Sequence, residues 1–330
     1  MSAASLSASV EPTLAEEGEA AFAEAAALED AGNHGGAFAQ FVRANAIRRA
    51  RLAYDGKADE AMFEALRRTF ARELPLVPDS AIDEAPVFVV GLPRTGTALV
   101  DRILSAHRQL ASADDREAMP QAVRQIAGTA TQSALDAATI AALAGCSGQA
   151  LGEAYVSRAV QSVKTPGLRV VDRFPLNFLY IGWIVEALPN ASIVCLRRGA
   201  MDSVWSNFRE PFATGSSDCL WSHDLMDTAR YVLMFQRLMA FWRQRFPGRI
   251  HEVSFEQLIT DQEVQTRRML AHCRLPWDPA CHDARRGESM APVPGARQPA
   301  SPLSIGRWRT HEAALAEVTE FFAANGIPLD

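Results

Sequence analysis

Residues 86–107 read PVFVVGLPRTGTALVDRILSAH, and this stretch decides the fold. Val87 to Val90 is an unbroken apolar run, the pattern of a strand covered on both faces. Gly91, Pro93 and Gly96 then make a turn. Beyond it Leu99, Val100, Ile103, Leu104 and His107 fall on one side of a helix, with Asp101, Arg102 and Ser105 on the other. Strand, glycine-rich turn and helix together make an anion cradle, because loop N–H groups converge and the helix N-terminus adds partial positive charge. Such turns also serve purely structural ends, so the loop is only moderately specific by itself. A nucleoside-triphosphate loop places lysine after its last glycine; here that position is Thr97. A strand-end carboxylate for Mg²⁺ is missing as well, since SIVCL (192–196) runs into Arg197 and Arg198.

Working outward, Arg169–Asp172 reads as a second strand that leads through Arg173 and Phe174 into a helix opened by Pro175. That helix ends near Pro189-Asn190, and the strand Ser192–Leu196 follows, which implies a right-handed parallel crossover. A long amphipathic helix over Asp224–Arg245 precedes a strand at His251–Phe255. Residues 121–165 read as helical, with breaks at Gly145 and Gly148. The expected fold class is α/β: a P-loop-like, three-layer parallel sheet.

Ahead of it, Leu14 to Arg72 is alanine-rich with helical spacing, broken at Gly32–Gly36, and predicts a helix pair. The pattern resembles one tetratricopeptide unit, with Ala25, Leu28 and Gly32 before the turn and Ala37, Phe38, Phe41 and Ala44 after it. One unit cannot bury its own face, so it is expected to pack on the next domain, on a protein partner or on a second copy. PLVPDSAIDEAP (75–86) reads as the linker, dividing the chain into a helical region 1–80 and a larger domain 81–330.

The composition narrows the partners. A net charge of −6 over 330 residues gives no field for nucleic acid, so anionic ligands must be met locally. Two of the 33 basic residues are lysine, Lys57 and Lys164, and the rest are arginine; any lysine-dependent chemistry would have to run on arginine. Five scattered cysteines without a CxxC pair fit reduced thiols and a cytoplasmic setting. No HxH or HExxH pair signals a metal. The N-terminal residues lack the pattern of a secretory leader, and FLYIGWIVEAL (178–188) is too short to span a bilayer.

The sharper signal is RRGAMDSVWS. Arg198 stands at a strand's C-terminal end, and Ser206 lies two turns into the next helix. Ligands of open α/β sheets bind at such ends, and a guanidinium with a hydroxyl makes a second anion site. Either residue alone reads as surface decoration; with the loop, the pair describes a nucleotide carrying phosphates on both its 5′ and 3′ sides. 3′-Phosphoadenosine 5′-phosphosulfate (PAPS) fits.

At these residues the chain resembles the PAPS-dependent sulfotransferases, specifically the bacterial branch related to protein-tyrosine sulfotransferases, which often carries tetratricopeptide units. The family's 5′-phosphosulfate loop, commonly PRSGTTL, appears as Pro93-Arg94-Thr95-Gly96-Thr97-Ala98-Leu99. Its 3′-phosphate pair appears as Arg198 and Ser206, and its DKxPLNFLYIG segment as residues 172–182. Its C-terminal RQPxxxxSxGRW matches from Arg297 through Ser304, Gly306, Arg307 and Trp308. The resemblance implies that Arg94, Thr95, Gly96 and Thr97 hold the 5′ side of the donor and Arg198 and Ser206 the 3′ side, with Gly306 and Arg307 contributing. It further implies that Asp115, eight residues past His107, is the carboxylate base, and that Arg173 stabilises charge on the leaving phosphate. Transfer to a hydroxyl or phenol of a small-molecule or peptide acceptor, without metal, is the activity implied.

Several positions depart from the family pattern. Asp115 replaces the usual Glu and is one methylene shorter, with Asp114 and Glu117 as neighbouring carboxylates. Arg173 replaces a lysine, with a planar fork in place of a compact ammonium. Ala98 stands for a threonine, Phe255 for a frequent tyrosine and Pro292 for a serine. A non-catalytic nucleotide-binding or scaffold protein is the alternative, with a P-loop kinase behind it. Phe208–Trp221 and residues 116–165 are expected to shape the acceptor pocket, and Trp205, Phe212 and Trp221 read as core before they read as ligand-gripping aromatics.

Overall fold

The computed structural model describes residues 13–72, 80–113, 117–131, 133–163, 165, 167–212, 218–283 and 304–330. The N-terminal stretch contains three helices, α1 (Leu14–Asp30), α2 (His34–Arg49) and α3 (Gly56–Ala71). α1 and α2 flank the break expected at Gly32–Gly36, and a third helix that the sequence reading did not separate follows them. The alanine-rich run breaks a second time before Gly56, where Asp55 leaves helical angles and its carboxylate accepts from the Lys57 N–H at 2.9 Å, capping a third helix. Asn33 does the same for α2, accepting from the Gly36 N–H. The proposed linker lies partly outside the described residues.

From Val87 the elements alternate: β1 (Val87–Gly91), α4 (Thr97–Ser105), β2 (Leu110–Ser112), α5 (Ala118–Ala127), α6 (Ala137–Ala142), α7 (Gly148–Gln161) and β3 (Arg169–Asp172). Next come α8 (Ile181–Ala187), β4 (Ser192–Arg197), α9 (Ala200–Phe208), α10 (Leu225–Arg245) and β5 (Ile250–Ser254). The chain continues with α11 (Phe255–Thr260), α12 (Gln262–His272), α13 (Ala280–Asp283) and α14 (Ala316–Ala324). The helix expected from Pro175 begins as a tighter turn, Pro175–Tyr180, and becomes α-helical only at Ile181.

The five strands are all parallel and run in the order β2-β3-β1-β4-β5. β1 is central, pairing Val87 with Val171 on one side and Val87–Gly91 with Ser192–Leu196 on the other. Alternation sorts its side chains between two cores. Val87 and Val89 join Val100, Ile103 and Leu104 of α4, while Phe88 and Val90 join Ala200, Met201 and Val204 of α9 on the opposite face. Helices on both faces explain why the strand sequence is apolar throughout.

The N-terminal helices share the α9-side core. Phe22, Phe41, Phe63 and Phe70 belong to the same buried cluster as Trp183, Trp205 and Trp242. The Phe70 ring meets Trp183 and Trp242 edge-on at 5.0 and 5.2 Å, and it lies so close to Gly182 that any Cβ there would collide with it. Removing a ring so enclosed costs about 3–5 kcal/mol. Trp205 and Trp221 are fully buried, and Phe212 packs against the core from a partly covered position.

Candidate functional site

The order of the strands places the site. From β1 the chain moves outward to β2, returns to β3, then crosses to β4 on the other side of β1. The connections after β1 and β4 therefore leave on opposite faces, the switch point at which open α/β sheets form a ligand crevice. The 92–96 loop and Arg198 meet across it. Arg198 Nη1 donates to the Arg94 carbonyl at 2.9 Å and to Ser206 Oγ at 3.1 Å, and Nη2 donates to the Ser304 carbonyl at 2.6 Å. Arg94, Arg198, Ser206 and the C-terminal segment, spread over 210 positions of sequence, are thus joined by one guanidinium.

Backbone geometry fixes the loop. Gly91 (φ 151°) passes so close to β4 that a Cβ would stand 2.8 Å from the Leu196 carbonyl. Gly96 (φ 103°) caps α4, and a Cβ there would press on the Phe255 ring at 2.8 Å. The Phe255 ring also lies under the Arg198 guanidinium, 4.8 Å from its centre, so this one side chain walls both halves of the site. Thr95 is buried, and its hydroxyl proton goes to the Leu92 carbonyl at 2.6 Å, closing the turn from inside. Thr97 and Ala98 open α4, where backbone N–H groups have no acceptor within the helix. Arg94 itself holds φ 67°, left-handed for a non-glycine residue. Such strain costs about 1–2 kcal/mol and gathers at functional sites.

Two unanticipated side chains support the loop. Asn207, fully buried one residue past Ser206, donates to the Pro93 carbonyl at 3.0 Å and to the Ser203 carbonyl at 2.8 Å. Glu210 stands 3.3 Å from Arg94 Nε and holds its side chain.

The C-terminal segment completes the wall. Asp202 of α9 accepts from the Gly306 N–H at 2.6 Å and from the Trp308 N–H at 3.3 Å, and Gly306 takes φ 70° to allow it. Arg307 Nη2 lies 3.3 Å from Glu29 of α1, and Arg209, just past α9, pairs with the other oxygen of the same carboxylate. Arg94, Arg198, Arg209 and Arg307 thus gather at one end of an acidic chain. Burial pulls the Arg198 guanidinium below its usual range against the opposing pull of Asp202 and Glu256, with Arg94 and Arg307 adding to the effect. Burial likewise takes Arg209 down to about 10 against Glu29.

At the far side of β1, Arg173 follows β3, and its Nε lies 3.3 Å from Asp101 of α4. Asp172 is buried, accepts from the Phe174 N–H and the Asn177 amide, and faces Tyr155, whose hydroxyl is raised far above the phenol range by burial and then by Asp172. His107 is buried, its Nδ1 accepting from the Gln109 N–H, so Nε2 carries the proton to the Pro276 carbonyl at 3.1 Å. Asp115 and Asp114 lie outside the described residues, as do Arg297, Pro292 and part of 208–221. The chain leading to Asp115 is described as far as Ala113, whose N–H donates to the Val171 carbonyl. Glu117 pairs with Arg124 at 3.0 Å. Among the described residues no cluster of His, Cys, Asp and Glu is arranged to hold a metal ion, and no helix is long and apolar enough to cross a membrane.

An uncharacterized protein of Aquifex aeolicus is 26% identical over 304 residues, covering 89% of this chain and 40% of its own length. A protein-tyrosine sulfotransferase of Drosophila melanogaster is 21% identical over 215 residues, covering 64% of this chain and 40% of its own length. The chain therefore spans about two fifths of the curated relatives it matches. A sulfotransferase domain from the curacin biosynthetic pathway, a solved structure, aligns with 75% of this chain and 99% of its own at 14% identity and a TM-score of 0.47. The sequence model described as the sulfotransferase family matches residues 86–279, from the first strand to beyond the last, and the chain belongs to that family.

Proposed function

We propose that the chain transfers a sulfuryl group from PAPS to a hydroxyl or phenol of a small-molecule or peptide acceptor. The observation that carries the reading is the Arg198 guanidinium, which bridges the Arg94 carbonyl and Ser206 across the crevice where the strand order reverses. The residues suit the donor's two anionic ends. The first N–H groups of α4 follow a glycine that supplies no side-chain cap, and Arg198 Nε is buried without a hydrogen-bond partner among the described residues. A phosphosulfate on the loop amides and Arg94, and a 3′-phosphate on Arg198 and Ser206, would fix the donor at both ends. Arg307 and Gly306 close the 3′ side.

In this reading Asp115 takes the proton from the acceptor oxygen as that oxygen bonds to sulfur. Arg173, steadied by Asp101, meets the charge that grows on the departing phosphate oxygen. Thr95 acts through the turn it closes and Thr97 through its place at the helix start. The helical region up to residue 80 then packs on the transferase domain through a shared core.

Calorimetry with 3′,5′-adenosine bisphosphate and transfer of labelled sulfate from PAPS to a panel of phenols and hydroxyls test this, with and without a chelator. Binding and transfer are expected in both media, with transfer falling about a hundredfold in Arg94→Ala. Absence of nucleotide binding by the wild-type chain would overturn the reading. A second reading, a protein that binds the nucleotide without turning it over, is favoured by the Arg173–Asp101 ion pair, which offsets the cation the reaction needs. Tight binding with no acceptor labelled would select it.

A further inference from the structure

One side chain carries the N-terminal helices into the crevice. Glu29 stands in the last turn of α1 and is only 8% exposed. Its two oxygens go to arginines from distant segments, Oε2 to Arg209 and Oε1 to Arg307 at 3.3 Å. Arg209 ends the helix that bears Ser206. Arg307 directly follows Gly306, which is tied to Asp202, in the segment whose Ser304 carbonyl accepts from Arg198. A single carboxylate thus links α1 to both walls of the 3′ side.

The seat of this carboxylate is built from several independent contacts. Asn45 of α2 donates to the Phe208 carbonyl at 2.7 Å and meets His223 at 2.9 Å through its amide oxygen. Arg48 donates to the Phe212 carbonyl at 2.6 Å. The Phe38 and Phe41 rings lie 5.8 and 5.6 Å from Trp205 of α9. Stability alone does not account for a buried carboxylate shared by two arginines, because desolvation offsets most of the attraction. An apolar contact would join the helices as well. What the carboxylate adds is a fixed orientation for two guanidinium forks beside an anion site.

We infer that Glu29 is a positioning residue of the donor site, holding Arg307 in place for the 3′ side of the nucleotide, so that the N-terminal helices form part of the transferase centre. This rests on the donor reading above. Glu29 touches no reacting atom and acts through Arg307.

The test is a double-mutant cycle on the full chain, read by calorimetry with 3′,5′-adenosine bisphosphate and by steady-state kinetics with PAPS. Glu29→Gln is expected to weaken nucleotide binding about tenfold, the scale of one contact to a charged group, and to raise the KM for the donor with kcat nearly unchanged. In an Arg307→Ala background the same change is expected to add less than about twofold, as coupled neighbours behave. If Glu29→Gln does not fold, Glu29→Asp keeps the charge beside the buried Arg209 while drawing back from Arg307, and it should show the same KM effect. Wild-type affinity in the folded variant, or an equal loss with and without Arg307, overturns the inference. Failure of the wild-type chain to bind the nucleotide instead overturns the donor reading itself.

Discussion

At the residue scale the loop is decided by backbone room more than by side-chain chemistry. Gly96 must take a left-handed φ and accept the Phe255 ring where a Cβ would be. Gly96→Ala therefore meets two penalties, one from the dihedral, about 1–2 kcal/mol, and one from displacing a ring that also backs Arg198. Thermal unfolding should show a loss of about 1–3 kcal/mol, and affinity for 3′,5′-adenosine bisphosphate should fall with it. Phe255→Leu in the same chain should return part of the affinity and little of the dihedral cost. No recovery would mean that the ring is a bystander. The missing lysine becomes intelligible at the same scale: in the proposed reading the amides at the start of α4 would face the anion, and the cations would come from Arg94 and from Arg198, just past β4.

At the element scale, α9 is the strut of the site. It presents Ser206 to Arg198, Asn207 to the loop and Asp202 to the C-terminal segment. Asn207→Ala removes both donations of a fully buried amide and leaves the Pro93 carbonyl short of a partner, a cost of about 1–3 kcal/mol. Equilibrium denaturation should register it, and nucleotide binding should weaken because the Arg94 turn loses its tie. Unchanged affinity at lowered stability would make Asn207 a purely structural residue. β1, α4, β3, β4 and the Arg198–Ser206 spacing were legible in the sequence because each is a local period or a motif within one element. β2 has three residues and no period to read, and the third N-terminal helix hid behind a break with a single Asp cap. Asn207, Glu210, Asp101 and Glu29 were not legible, since their partners lie far off along the chain; Asn207 and Pro93 are 114 residues apart. Where a side chain spends its hydrogen bonds was equally hidden, as with Thr95, whose hydroxyl closes the turn.

At the scale of the whole molecule, the N-terminal helices and the sheet meet across two buried imidazoles. His311 packs among His34, Phe38 and Trp205. Burial lowers it from 6.5 to about 4, with His34, Arg209 and Arg307 adding like charge. His223 sits against Asn45 and is lowered to about 4 by burial, then by Arg48 and Arg49. Both rings are neutral in the fold at pH values where the unfolded chain already binds a proton. As pH falls below about 6.5 the unfolded state is therefore favoured, and the loss continues until the folded rings protonate near 4. Asp59 works in the opposite direction, since burial raises it from 3.8 to about 6 and its protonation inside that window favours the fold. His251 and His272, also lowered by burial, join the loss, and Glu186 and Asp218, raised by burial, join Asp59. Four imidazoles against three carboxylates leave a net loss, expected as a falling Tm between about pH 7 and 4.5. Comparison with His311→Phe isolates the histidine contribution, because every carboxylate is common to both chains. The variant keeps a ring of similar shape against Trp205 and should show a shallower decline. Parallel Tm curves would show that the imidazole is not held neutral at this junction, and the ring would then contribute packing alone.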